Sequence, residues 1–482
     1  MDTNDDRSLI PLPDRSLAIT VAGTHRILST MVGDTLALLR QETEMAAPAS
    51  RRFRIGAYEW CGPDYRQILA WAKAMALEPE TVINRLLDTR PFSSVAFSRI
   101  WEPNWAGTQF ENGQIVSLRW DLDLLPLKRF DWVDGLAISS LSFLESLSRP
   151  LEALSLALPI LRRLSCTDLR LTSLDLQQLS MIDELDCSRN NLTRLDLAVV
   201  PRLTKLDCSD TRIAGLDLSA VPKLAELSCC RTDISELNLS AVPHLTLLDC
   251  SETGIAALNL AGAPKLDQLN CCKTKIVSLE LTAVPNLTSI DCSATQISDI
   301  DLARIPNLEQ LDCSRTPVSA LNLSAVPNLT KLACAATRIS KLDLSCMPNL
   351  DQLVCSRTSV STLNLYTVPN LTGLSCDATR VTKLDLSWVP GLTSLSCNKT
   401  FISELDLSRV PHLDMLLCNE TRVAKLDLSC VPNLSVLFCR DTPMVELDIR
   451  PLKRLETLSC DVERTRLLKR PDQNLERLLQ KL

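Results

Sequence analysis

An α/β repeat solenoid, with short parallel strands on one face and tight return turns on the other, is the fold class the sequence predicts. Two observations carry it. A cysteine recurs every 21 residues, at 166, 187, 208, 229 and onward to 460, and the leucines around it recur in the same register. The unit reads L-x-x-L-x-C-x-x-T-x-I-x-x-L-D-L-S-x-V-P-x, with apolar residues at positions four and six and mostly polar ones at three, five and seven. Alternation of period two marks a strand with one buried face. A unit this short cannot bury that face by itself, so its neighbours must stack on it.

Taken in order, residues 1–110 do not follow the period and read as a mainly helical, tryptophan-containing region. RILSTMVGDTLALLRQETEMA, residues 26–46, has helical spacing. So do Ile68, Trp71, Ala72 and Met75, and again Val82, Ile83, Leu86 and Leu87 after a Glu-Pro break. Six of the seven tryptophans lie between Trp60 and Trp132, a cluster that reads as core because each buries a large area. Residues 111–160, from NGQIVSLRW onward, read as degenerate coils. Residues 161–464 hold fifteen regular units. Residues 465–482 read as a capping helix with Leu475, Leu478, Leu479 and Leu482 on one face.

Within the unit, cysteine at position six replaces an inward leucine and reads as a small, soft hydrophobe in a narrow coil. Stacked cysteines have parallel Cβ vectors at strand spacing, which disfavours disulfides, and a linear stack of thiols lacks the convergent geometry of a metal site. So many free thiols suit a reducing compartment. Threonine at position nine, unbroken from Thr211 to Thr442, should bond backbone groups of adjacent coils. Proline, as at 201, 222, 243 and 264, fits the start of a tight turn or a single 3₁₀ turn. At position eight, basic residues recur every 42 residues in Arg189, Arg231, Lys273, Arg315, Arg357 and Lys399, and pairs such as Arg231 and Glu252 can meet across rungs.

The motif L-x-x-L-x-C with its closing L-D-L-S resembles the leucine-rich repeats of the internalins, bacterial surface proteins with 21-residue units and a cysteine ladder. The resemblance spans about residues 161–464. It implies a parallel sheet on a concave face and, by the family's role, adhesion. The family's asparagine at position nine is present here only as Asn190.

Composition narrows the function. With 12 glycines and 4% aromatic residues, there is little material for phosphate-cradling loops or aromatic nucleic-acid platforms. A net charge of −7 argues against nucleic acid and acidic lipid as partners. No run of 18 apolar residues predicts a membrane span. The N-terminus, MDTNDDRSLI, begins with three aspartates and lacks a basic, apolar leader pattern, so a cytoplasmic protein is expected, or alternatively an effector delivered into host cytosol.

No enzyme and no cofactor or metal are expected. His244 and His412 fall in the turn after V-P, and Cys208-Ser209-Asp210 and Cys439-Arg440-Asp441 match a ubiquitin-ligase C-x-D pattern only because the ladder cysteine precedes variable positions. The expected function is a protein-binding scaffold that uses its concave face. The alternatives are an effector with an activity in the N-terminal region and a surface adhesin. The binding residues predicted from the outward strand positions are Val354, Met415, Leu417, Val436 and Phe438, downstream of an acidic, solvated band at Asp186, Asp207, Asp249, Asp291 and Asp312.

Overall fold

The computed structural model describes residues 160–474 without a break, and ahead of them residues 52–55, 58–61, 68–69, 71–73, 77–86, 109–111, 114–121, 140–144, 153–156 and 158. The chain divides into two compact units, Met1–Leu224 and Ala225–Leu482.

The first unit contains an antiparallel hairpin of Arg52–Ile55 and Tyr58–Cys61 and a helix over Pro79–Leu86. Ile68, Trp71, Ala72, Val82 and Ile83 are buried, in keeping with their helical spacing. The described part of residues 1–110 therefore mixes strand with helix, and the helix expected over 26–46 lies outside the described residues. A sheet begins with Gln109–Glu111 antiparallel to Gln114–Asp121. It continues in parallel through Ser140–Leu144, Arg163–Ser165, Glu184–Asp186 and Lys205–Asp207.

The second unit is a parallel-sheet solenoid. From Glu226–Ser228 to Thr457–Ser459 each three-residue strand of the main sheet pairs with the next at a constant offset, as in Leu311↔Leu332 and Leu332↔Leu353. A second parallel pair joins Glu446–Asp448 to Arg466–Leu468. The leucines expected on a terminal helix, Leu475, Leu478, Leu479 and Leu482, lie outside the described residues.

One coil shows how the sequence makes the turn. In residues 308–328, Leu308, Leu311, Cys313, Val318, Leu323 and Val326 are buried. Each buried aliphatic side chain stabilises the stack by roughly 1.5 to 3 kcal/mol relative to exposure. The strand ends where Arg315 takes φ 58°, in the left-handed region. Thr316 then closes the turn by donating its hydroxyl to the carbonyl of Cys313 at 2.5 Å. On the return side, Leu323–Ala325 forms a 3₁₀ turn, and Leu329 N–H donates to Val326 O across Pro327, whose fixed φ suits the second position of such a turn.

The L-D-L-S segment has its own local cause. In many coils the aspartate or asparagine caps the N–H two residues on, as Asp301 does for Ala303 and Asp385 for Ser387. That bond starts the 3₁₀ turns Leu302–Arg304 and Leu386–Trp388.

The threonine ladder works differently from expectation. From Thr211 to Thr442 each hydroxyl donates to the cysteine carbonyl three residues back in its own coil, at 2.7 Å in Thr211, Thr253 and Thr295. Asn190 does span two coils. Its Nδ2 donates to the carbonyls of Cys166, Cys187 and Ser188, and its Oδ1 accepts from the N–H groups of Leu169 and Leu171. Threonine at this position secures its own turn instead.

All fifteen ladder cysteines are buried, as thiols outside any disulfide. Burial pushes the Cys313 and Cys355 thiols up to about 12, which keeps them protonated and unreactive as nucleophiles.

Candidate functional site

The outward side chains of each strand stand at positions three, five and seven of the unit. The strand Met415–Leu417 pairs with Val436–Phe438 so that Met415 faces Val436 and Leu417 faces Phe438. These four predicted site residues therefore meet on two adjacent rungs, each half-buried. Val354 stands in the same column three rungs earlier, beyond Ser375 and Ser396, and is 36% exposed.

The acidic band is not solvated throughout. Asp186, Asp207 and Asp249 are 5%, 6% and 2% exposed. The carboxylates fold back on the strand. Oδ1 of Asp186, Asp207, Asp249, Asp291 and Asp312 accepts the N–H two residues on at 2.8 to 3.1 Å, and Asn270 does the same for Cys272. Burial pushes the Asp186 carboxyl up to about 6, although bonds from Ser188 pull the other way. Asp249 and Asp312 are raised by the same cause.

Position five is thus a capping position in these coils, satisfying the backbone N–H of position seven. Further along, that duty passes to position seven itself. Ser356 Oγ accepts from Asp377 N–H at 3.0 Å, Asp377 Oδ1 from Asn398 N–H at 2.7 Å, Asn398 Oδ1 from Asn419 N–H at 2.8 Å, and Asn419 Oδ1 from Arg440 N–H at 2.7 Å. Each side chain caps the next rung. Position five no longer needs an acceptor, and it is there that Leu417 and Phe438 occur. Sequence reasoning missed this exchange, although its signal was present: Asp312 is the last aspartate at position five before Leu417 and Phe438, and position seven then runs Ala335, Ser356, Asp377, Asn398 and Asn419.

The eighth position holds another feature that the sequence reading did not detect. From Asp168 to Asp441 its residue has positive φ in every coil, and none of these residues is glycine. Expected cross-rung ion pairs do form there: Lys273 to Glu252 at 3.0 Å, Arg231 to Glu252 at 3.9 Å and Lys399 to Glu420 at 3.1 Å. Lys273, Lys399 and Glu420 are exposed and Arg231 and Glu252 half-buried, so each pair remains in reach of solvent and contributes little.

His244 and His412 are exposed in their turns. Cys208 and Cys439 are buried in the core. Among the described residues no three His, Cys, Asp or Glu side chains are grouped so as to hold a metal ion. Among the same residues no helix is long and apolar enough to cross a membrane.

This repeat, its parallel sheet and its buried leucine and cysteine columns give the chain a leucine-rich repeat fold. Among solved structures it is similar to the functional domain of InlJ from Listeria monocytogenes, which includes a cysteine ladder, with 26% identity and a TM-score of 0.59 over 71% of this chain and 70% of that one. It is also similar to the internalin InlF from the same organism, at 20% identity and a TM-score of 0.55 over 59% of this chain and 88% of that one. A more distant likeness is the ectodomain of the Arabidopsis thaliana receptor kinase GASSHO1/SCHENGEN3 in complex with Casparian strip integrity factor 2. There the identity is 16% and the TM-score 0.51, over 80% of this chain and 60% of that one. No protein-family model and no curated protein matches the chain.

Proposed function

We propose that the protein is a non-enzymatic scaffold that binds another protein on the outward face of the second unit's sheet, centred on Met415, Leu417, Val436 and Phe438, with Val354 at the margin. One observation carries the reading. The position-seven relay takes over backbone capping, and the freed positions hold apolar side chains on adjacent strands, where a partner gains most by covering them. The Arabidopsis ectodomain, in complex with its factor, is a chain of this fold that holds a partner.

The test is the double variant Leu417→Asp/Phe438→Asp, with wild type and variant used as baits in parallel. A partner retained by wild type and lost by the variant, with the melting temperature unchanged, supports the site. Equal capture by both overturns it, and a large fall in melting temperature shows that the four side chains serve the fold instead.

The reading includes a cytoplasmic location, supported by the inventory of free thiols. Fractionating the native host into cytosol, envelope and medium tests it, and recovery from the medium or envelope overturns it.

A further inference from the structure

The backbone relay does not require the charge on Asp377. The Asp377 Oδ1 accepts the backbone N–H of Asn398 at 2.7 Å, the Asn398 amide at 3.2 Å and the Ser396 hydroxyl at 2.6 Å. The first of these bonds, the one that carries the relay, needs only a neutral acceptor oxygen. The next two members of the relay show this directly, because Asn398 and Asn419 cap the following rung through an amide oxygen at 2.8 and 2.7 Å. Ser356 does the same with a hydroxyl. An asparagine at 377 would serve the relay equally well. The carboxylate adds a second oxygen, Oδ2, which takes part in no hydrogen bond or ion pair among the described residues, and a full negative charge half-buried on the sheet face.

The position of this charge gives it a meaning. Asp377 stands two rungs before Leu417 and three before Phe438 on the same outward face. With strands about 4.8 Å apart and alternate residues about 6.6 Å apart along a strand, its carboxylate lies roughly 10 to 12 Å from Leu417. The rung between them carries Ser396 and Asn398, both half-buried polar side chains tied to Asp377 by hydrogen bonds and not apolar ones. A lone carboxylate beside an apolar patch is complementary to a cationic side chain beside an apolar one, and charge-assisted hydrogen bonds are the strong, direction-setting kind.

We propose that Asp377 takes a lysine or arginine side chain of a protein partner whose apolar side chains seat on Leu417 and Phe438. The inference rests on the proposed docking face and specifies what that face selects. An extended partner crossing the strands would present the cation three to four residues from an aromatic or branched residue, since extended chain covers about 3.3 Å per residue.

The test uses the full chain, immobilised, against a displayed library of random dodecapeptides. Wild type, Asp377→Asn and Leu417→Asp/Phe438→Asp are panned in parallel. Wild type should enrich peptides with Lys or Arg three to four residues from an aromatic or branched aliphatic residue. Asp377→Asn keeps the relay acceptor and should bind those peptides about tenfold more weakly, while retaining the apolar preference. The double variant should bind none of them. If wild type enriches apolar peptides that the double variant loses, but without a cation or with no loss in Asp377→Asn, the inference fails while the docking face stands. If wild type enriches nothing that depends on Leu417 and Phe438, the docking face fails and the inference with it.

Discussion

The hydroxyl of Thr316 lies 2.5 Å from the carbonyl oxygen of Cys313, three residues earlier, and closes the turn that follows the strand. The same bond recurs in Thr337, Thr358, Thr379, Thr400 and Thr421, so each coil secures its own turn before it stacks. Thr316→Val fits the same space and leaves that buried carbonyl without its donor, so unfolding free energy should fall by about 1 to 2 kcal/mol in urea denaturation. Thr316→Ser should recover most of the loss. Stability of the valine variant within error of wild type would show that the ladder is not needed.

Ala336 has φ 55° and is exposed. Left-handed backbone costs a residue with a Cβ roughly 1 to 2 kcal/mol, while glycine adopts it freely at some entropic cost of its own. Ala336→Gly should therefore stabilise the protein, by about 0.5 to 1 kcal/mol, visible as a higher midpoint in thermal or urea unfolding. A lower midpoint would mean that chain entropy outweighs the relief.

The raised carboxyl of Asp186 makes a signed prediction about pH. Its folded value, about 6, lies above the ordinary value of 3.8, because burial penalises the charged form more than Ser188 supports it. The native state therefore holds this proton more tightly, and the associated stability is present below about pH 4 and lost as pH rises through about 6. Asp186→Asn keeps the Oδ1 acceptor for Ser188 and carries no charge. Melting curves from pH 4 to 7 should show variant and wild type converging at pH 4 and the variant more stable at pH 7. A constant difference across that range would contradict the raised value.

Thiol reactivity should follow burial. Cys346 is exposed and should react with a thiol reagent in the folded protein, while the fifteen ladder cysteines should react only on unfolding. Time-resolved labelling read by mass spectrometry distinguishes them. Labelling of Cys313 or Cys355 at native rates would show that the coils open far more readily than their packing implies.

The period of 21, with its alternating strand and its V-P turn, was enough to predict the stacked parallel strands, because a repeating unit meets only copies of itself and local pattern becomes tertiary pattern. The inward leucines and cysteines were legible for the same reason. Asp186 and Asp249 were misread as solvated, since polarity in a strand pattern shows which way a side chain points but not which backbone group it caps. The left-handed eighth position escaped notice because no glycine or asparagine marks it there; the path from strand to turn imposes it on whatever residue stands there. Whether Leu417 and Phe438 could be spared from capping depended on bonds between residues 21 apart, from Asn398 to Asn419 and from Asn419 to Arg440. Sequence determined the repeat and its buried columns, since those follow from periodicity alone. The stacking of one coil on the next decided which outward residues are released from the backbone and left open to a partner, because the position-seven caps that relieve position five exist only once two rungs lie side by side.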